Sequence, residues 1–175
     1  MKITMIQVQS LDGKLTKGDN TDVHSWSSDE DSTFFMSQLR DARLIVMGRK
    51  TFEAAKSKAV PGTLRVVITS QPERFADRTV PGQLEFTSET PEELVARLES
   101  AGHNEMLLVG GGQVYGSFFA AHLVTDVYAT IEPLLFGAGA EMFGNTMIDT
   151  QLELIEVTRL NDRGTLLLKY QVVQP

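Results

Sequence analysis

Three consecutive glycines, Gly110-Gly111-Gly112, follow the apolar run LLV and open the aromatic segment GQVYGSFFAAHL. A strand, a glycine turn and a helix start together make an anion site. Free backbone N–H groups point outward there, and the helix dipole favours negative charge. Without a Cβ, a pyrophosphate can approach the chain closely. A tight turn that needs positive φ accounts for a single glycine, and three in a row exceed that need. Gly110, Gly112 and Gly116 give G-x-G-x-x-x-G, which differs from the dinucleotide fingerprint, and the Lys-Ser/Thr of a P-loop is lacking. A second stretch, VMGRKTFEAA, repeats the arrangement. Gly48 precedes Arg49, Lys50 and Thr51, two cations and a hydroxyl beside free N–H groups, which suits a phosphate. The alternative is a solvated helix start whose basic residues oppose the dipole. Thr69 and Ser70, at the end of RVVITS, either add hydroxyl donors or cap the following turn.

Acids and one tryptophan supply the remaining candidates. Asp29, Glu30 and Asp31 follow Ser28. Ser28 with Asp31 reads as a capping box, and acids in a first helical turn are favoured by the dipole. Asp31 is the chemical candidate among the three. Asp12-Gly13, in QVQSLDGKLTKGDNTDVHSW, reads equally as a turn and as a functional pair. Trp26 is the only tryptophan. On a polar, glycine-containing loop it is a candidate ligand wall, with a core position as the alternative. His24, His103 and His122 stand far apart without metal-ligand spacing, so no metal site is expected. A G-x-S-x-G elbow is absent. Tyr115, Phe118 and Phe119 fall at helical spacing and are expected to face a core rather than nucleic acid.

These residues need elements to hold them. KITMIQVQ, RLIVMG, TLRVVITS, EMLLV, TDVYATIEP, QLELIEVTRL and GTLLLKYQVV read as strands. SDEDSTFFMSQLRDA, RKTFEAAKSKA (ended by Pro61-Gly62), TPEELVARLESAG and GQVYGSFFAAHL read as helices. Thr90, Pro91 and Gly102 mark the ends of the third. Asn161-Asp162-Arg163-Gly164 joins the last two strands as a hairpin. The front is βαβα and the back an antiparallel meander. The expected fold is therefore α/β, a mixed sheet with helices on both faces, in one domain over residues 1–175.

Composition narrows the function classes. The 175 residues carry a net charge of −7 without a basic stripe, which argues against a nucleic-acid partner. Hydrophobic residues make up 42%, as in an ordinary globular protein. There is no cysteine, which removes disulfides, thiolate metal sites and a cysteine nucleophile, and fits a reducing compartment. MKITMIQVQS reads as a strand rather than a signal peptide, and no apolar run is long enough for a membrane span. A cytoplasmic protein without a membrane partner is expected.

VMGRKTFEAAKSKAVPGTLRVVITSQP followed by LLVGGGQVY resembles the dihydrofolate reductase superfamily. SLDGKL, WSSDEDSTFFMSQLR and LVTDVYATIEPLLFGAGAEMF are more similar to the riboflavin-pathway pyrimidine reductases, the C-terminal domains of bifunctional deaminase-reductases, and to their stand-alone relatives. The resemblance runs nearly to Phe143. It implies a three-layer dihydrofolate-reductase-like fold with a mostly parallel central sheet and a C-terminal antiparallel hairpin. It also implies NADPH as cofactor, a small heterocyclic substrate and a homodimer.

The resemblance assigns Gly48, Arg49, Lys50 and Thr51 to the first phosphate motif. It assigns Thr69 and Ser70 to the adenosine 2′-phosphate, and Gly110, Gly111 and Gly112 to the pyrophosphate turn with Gln113, Val114 and Tyr115 on its helix. Gln113 stands where many members carry a basic residue, and Arg49 can supply that charge. Ser10, Asp12, Gly13 and Leu15 match an S-x-D-G-x-hydrophobic loop over nicotinamide and substrate, with Leu15 on the cofactor side. The implied substrate group is Val8, Ser10, Asp12, Trp26, Phe35 and Thr130, with Asp31 as proton donor. Water is the other donor considered, and Thr130 reads equally as an ordinary strand residue. Thr63 stands where dihydrofolate reductases place an arginine for the folate tail. A pyrimidine reductase is the first expectation, dihydrofolate reductase the second, and a non-catalytic nucleotide-binding protein the competing class.

Overall fold

The computed structural model describes residues 1–173, so the last two positions of the expected 1–175 domain lie outside the described residues. β1 (Lys2–Ser10), β2 (Leu44–Gly48), β3 (Leu64–Ile68), β4 (Leu84–Thr87), β5 (Glu105–Leu108), β6 (Asp126–Glu132), β7 (Leu152–Arg159) and β8 (Leu166–Val172) form one sheet. Its order is β4-β3-β2-β5-β1-β6-β8-β7. Every pair from β4 to β6 is parallel, and β6-β8 and β8-β7 are antiparallel. The helices are α1 (Asp29–Asp41), α2 (Arg49–Ala54), α3 (Pro91–Ser100) and α4 (Gly112–Ala120).

Period-2 alternation along the strands builds two cores, one on each face of the sheet. Ile3 and Met5 of β1 and Leu44 and Val46 of β2 pack with Leu94, Leu98, Tyr115 and Phe118 from α3 and α4. Ile6, Ile45 and Met47 point the other way, onto Phe52 of α2 and Phe34, Phe35 and Leu39 of α1. This is the expected three-layer α/β fold, and Tyr115, Phe118 and Phe119 lie in its core. α3 starts at a full capping box between Thr90 and Glu93 with Pro91 in its first turn.

Three expectations are corrected. The helix from Arg49 stops at Ala54 instead of running to Pro61. Lys56 adopts φ 46, and the bonds Lys56 N–H to Glu53 O and Ser57 N–H to Phe52 O close a Schellman motif. The segment from Gly112 ends the same way at Ala120, three residues before the expected Leu123, with His122 at φ 54. The back of the chain is not a meander in space: β8 inserts between β6 and β7, because residues 133–151 carry the chain outward before the β7–β8 hairpin returns. β4, for which the sequence gives no assignment, pairs with β3 at the opposite edge.

Two glycines answer to packing. A Cβ on Gly112 would lie 2.3 Å from the Glu141 carbonyl oxygen, and one on Gly116 2.5 Å from Thr146 Oγ1 and 2.7 Å from the Phe143 carbonyl oxygen. The backbone of residues 141–146 therefore rests directly on the start of α4. Gly116→Ala is expected to lose about 1–3 kcal/mol of stability by overpacking. Urea unfolding measures this, and an unchanged midpoint would refute the close approach.

Candidate active site

The C-terminal ends of the parallel strands open onto one cavity of about 840 Å³, within the range of small-molecule sites. At its floor β2 ends in Gly48, and β5 is followed, after Val109, by Gly110, Gly111 and Gly112. The Gly48 N–H donates to the Gly110 carbonyl over 2.6 Å. α2 and α4 start immediately after these turns, and neither has a side-chain cap on its first N–H groups. Two helix N-termini thus sit side by side with free donors. Gly110 needs its glycine for φ +98 and for the Tyr115 ring, whose hydroxyl would lie 3.0 Å from a Cβ. Gly112 needs it for the Glu141 carbonyl. Gly111 is different: an added Cβ would meet only Thr51 Oγ1, at an ordinary 3.4 Å. Its backbone faces open cavity.

Most sequence candidates meet here. Gly48, Arg49, Lys50, Thr51, Thr69 and Ser70 line one half of the cavity, with Gly110, Gly111, Gly112, Gln113, Val114 and Tyr115 beside them. Arg49 and Lys50 are exposed, and Arg49 pairs with Glu53 at 2.7 Å. Tyr115 lies in the lining, yet its hydroxyl donates to the Ile6 carbonyl over 2.6 Å, and burial pushes its pKa up. It serves as a strut between α4 and β1. Val8, Asp31 and Phe35 line the other half, and Leu15 lines the cavity while packing against the core cluster of α4.

Asp31 is both the cap partner and an unusual acid. Its N–H donates to Ser28 Oγ over 3.3 Å, so Ser28 caps α1, but the expected capping box is not closed, because the Ser28 N–H donates to Glu132 instead of to the Asp31 carboxylate. Its carboxyl is buried, which raises its pKa from 3.8 to about 6. A hydrogen bond from Thr130 opposes that rise, the charge of Glu132 adds to it, and His24 opposes it.

Four candidates lie outside the lining: Ser10, Asp12, Trp26 and Thr130. Thr130 sits behind Asp31. The Asp12 carboxylate accepts from Ser10 Oγ at 2.6 Å, Phe136 N at 3.1 Å and Gly137 N at 2.7 Å, and these bonds lower its pKa to about 2. It latches the loop after β1 onto the loop after β6. Leu15 N–H to Ala140 O and the Lys14–Glu141 ion pair continue the seam. Trp26 packs edge-on against Phe136, ring centres 5.0 Å apart.

Sequence reading missed Glu132 and Gln7. Glu132 is buried and accepts from Ser28 N and Thr165 Oγ1, both at 2.7 Å. Gln7 is buried in β1 and lines the cavity. The available signal was polarity within apolar strands, since buried polar side chains have an assigned partner or a use. Among the described residues no His, Cys, Asp and Glu cluster could hold a metal, and no helix is long and apolar enough to cross a membrane.

Known proteins share this frame. Dihydrofolate reductase of Neisseria meningitidis serogroup A is 36% identical over 106 residues, 60% of this chain and 58% of that enzyme. The chain thus spans little more than half the length of that relative. The solved pyrimidine reductase-like protein of Corynebacterium diphtheriae superposes with TM-score 0.78 at 15% identity, covering 99% of this chain and 92% of that one. The diaminohydroxyphosphoribosylaminopyrimidine deaminase/5-amino-6-(5-phosphoribosylamino)uracil reductase of Thermotoga maritima superposes with TM-score 0.79 at 15% identity, over 98% of this chain and 56% of that one. At these identities the superpositions show a common fold. Residues 1–166 match the RibD C-terminal domain, and the chain belongs to that family, within the dihydrofolate-reductase-like superfamily.

Proposed function

We propose that this chain is an NADPH-dependent reductase that delivers a hydride to a C=N or C=O bond of a small heterocycle, of the 5-amino-6-(5-phosphoribosylamino)uracil reductase type. The observation that carries the reading is the continuous cavity, which runs from the Thr69–Ser70 hydroxyls past two uncapped helix starts to a buried acid. The residues present fit the cofactor. Gly111 leaves room for a pyrophosphate, the N–H groups of α2 and α4 are free to bind it, and Arg49 with Thr69 and Ser70 offers charge and hydroxyls to a 2′-phosphate. The bound nicotinamide supplies the hydride. The chain aligns the two reactants, and the seam between the loops after β1 and β6 keeps Leu15 over the site and water out of it. Asp31, largely protonated below pH 6, holds the proton that the acceptor needs.

Dihydrofolate reductase is the second reading, favoured by the Asp31–Thr130 pair and the Neisseria relative. Against it, the Thr63 hydroxyl is committed to the Ala42 carbonyl and Arg65 to Ser57 and the Lys58 carbonyl. A nucleotide-binding protein without turnover is distinguished by whether any acceptor oxidises bound NADPH. The chain is proposed to act as a homodimer, supported by edge strand β7, which exposes Leu152, Leu154, Ile155 and Val157.

Calorimetric titration tests the cofactor. NADPH is expected to bind saturably and more tightly than NADH, and Arg49→Ala should weaken NADPH about tenfold or more while leaving NADH nearly unchanged. Absence of heat with both nucleotides defeats the reductase reading. Asp31 gives a pH signature. Its folded pKa lies above the unfolded value, so the folded state holds the extra proton and this site's contribution to stability falls as pH rises from about 4 to 6. Asp31→Asn cannot ionise, so its Tm should gain on the wild type across that window and hold a constant offset above it. Single-turnover reduction should slow above pH 6 in the wild type and be slower and pH-independent in Asp31→Asn. A parallel pH profile in both proteins would assign the proton to water. Ile155→Lys should convert a sedimenting dimer into a monomer with nucleotide affinity kept, and a wild type that sediments as a monomer contradicts the assembly.

A further inference from the structure

Gln7 is a buried amide in the cavity wall with both of its polar atoms unsatisfied. It is 6% exposed, lines the cavity, and neither its Oε1 nor its Nε2 has a hydrogen-bond partner. Its neighbours along β1 are Ile6 and Val8. A buried amide without partners carries an uncompensated desolvation cost, and an apolar side chain of similar volume would avoid it. Such a site is explained when a ligand supplies the missing partners.

The strand pattern says which half of the cavity Gln7 serves. β1 alternates, with Met5 on the face of α3 and α4 and Ile6 on the face of α1 and α2. Gln7 follows Met5 and Val8 follows Ile6. Val8 pairs in register with Thr130, the residue bonded to Asp31. Gln7 is therefore on the opposite face from the acid, the face of α4 and its glycine turn. The adjacent Ile6 carbonyl is the one that Tyr115 of α4 holds.

Along the sheet the order is β3, β2, β5, β1. Thr69–Ser70, Gly48–Thr51 and Gly110–Gly112 lie at the ends of β3, β2 and β5, and Gln7, inside β1, is level with Gly110 when the Met5–Leu108 register is continued, so the four span about 14 Å at roughly 4.8 Å per strand. On the cofactor reading above, the 2′-phosphate belongs at β3 and the pyrophosphate between β2 and β5. The far base then falls at β1. An amide there needs one donor and one acceptor in return, and a ring carboxamide offers both.

We propose that the Gln7 side chain pairs with the carboxamide of the nicotinamide ring and makes the site selective for it, from the juxtaposition of this orphaned amide with the end of the glycine-turn half of the cavity. The inference rests on the cofactor reading, and the test separates the two. The whole chain and Gln7→Met are titrated with NADPH and with 2′,5′-ADP, which carries the adenosine end alone. Gln7→Met should weaken NADPH about tenfold, leave 2′,5′-ADP unchanged, and keep or raise the Tm of the free protein. Equal loss of both probes, no loss of NADPH, or a lowered Tm makes Gln7 structural and overturns the proposal. A wild type that binds neither probe defeats the cofactor reading itself, and with it this inference. The wild type alone gives a second readout that needs no variant. NADP⁺ should bind at least tenfold more tightly than nicotinic acid adenine dinucleotide phosphate, whose carboxylate can only accept, and equal affinities overturn the proposal.

Discussion

The hydrogen bond from the Gly48 N–H to the Gly110 carbonyl, 2.6 Å long, fixes the two central strands at their C-terminal ends. Everything at the site is measured from it. It can form only because both chains approach as bare backbone. A Cβ on Gly48 would press Val114 Cγ2 at 3.0 Å, and one on Gly110 the Tyr115 ring. With the strand ends joined, α2 and α4 begin next to each other and their free N–H groups converge on one volume. The net charge of −7 is no argument against the proposed anion site, because the charge that matters there is local: helix ends, Arg49 and Lys50.

The second organising contact is the seam between the loops after β1 and β6. Asp12, Leu15 and Thr16 tie residues 10–18 to residues 134–140. Gly139 is pressed against the Thr16 carbonyl, where a Cβ would come within 2.0 Å. The same outgoing segment then lies on Gly112 and Gly116. One loop therefore braces both the lid over the cavity and the helix that forms its floor. Gly139 on one side, and Gly112 and Gly116 on the other, let this one segment pack closely against both neighbours.

Much of this was legible in the sequence. The three layers follow from strand alternation and from helices capped by Ser28, Thr90 and Gly102, all local signals. The glycine and Arg-Lys-Thr stretches marked the cavity, because both are uncommon where nothing must approach the backbone. The misses share one cause. The short α2 depends on a left-handed Lys56 that no propensity announces, and the place of β8 depends on how residues 133–151 travel. That Asp12 and Trp26 stand outside the lining was equally hidden, because their partners, Phe136 and Gly137, are more than a hundred positions away. Long-range pairing decides such cases, and a single sequence does not show it.

Glu132 shows how far that distance reaches into the chemistry. Its two oxygens take the Ser28 N–H at the start of α1 and the Thr165 hydroxyl beside β8. Asn161, in the β7–β8 turn, holds Thr165 in turn and also reaches Glu30 of α1. The antiparallel hairpin, remote in sequence, thus anchors the helix that carries Asp31. Glu132 thus sits behind a second carboxyl that has lost its water, and its proximity favours the protonated form of Asp31. Burial does most of the work of raising the pKa, and Glu132 adds to it while keeping α1 in place. The position and the proton affinity of Asp31 therefore have one structural origin, so a change in the hairpin turn can alter the acid without touching the cavity.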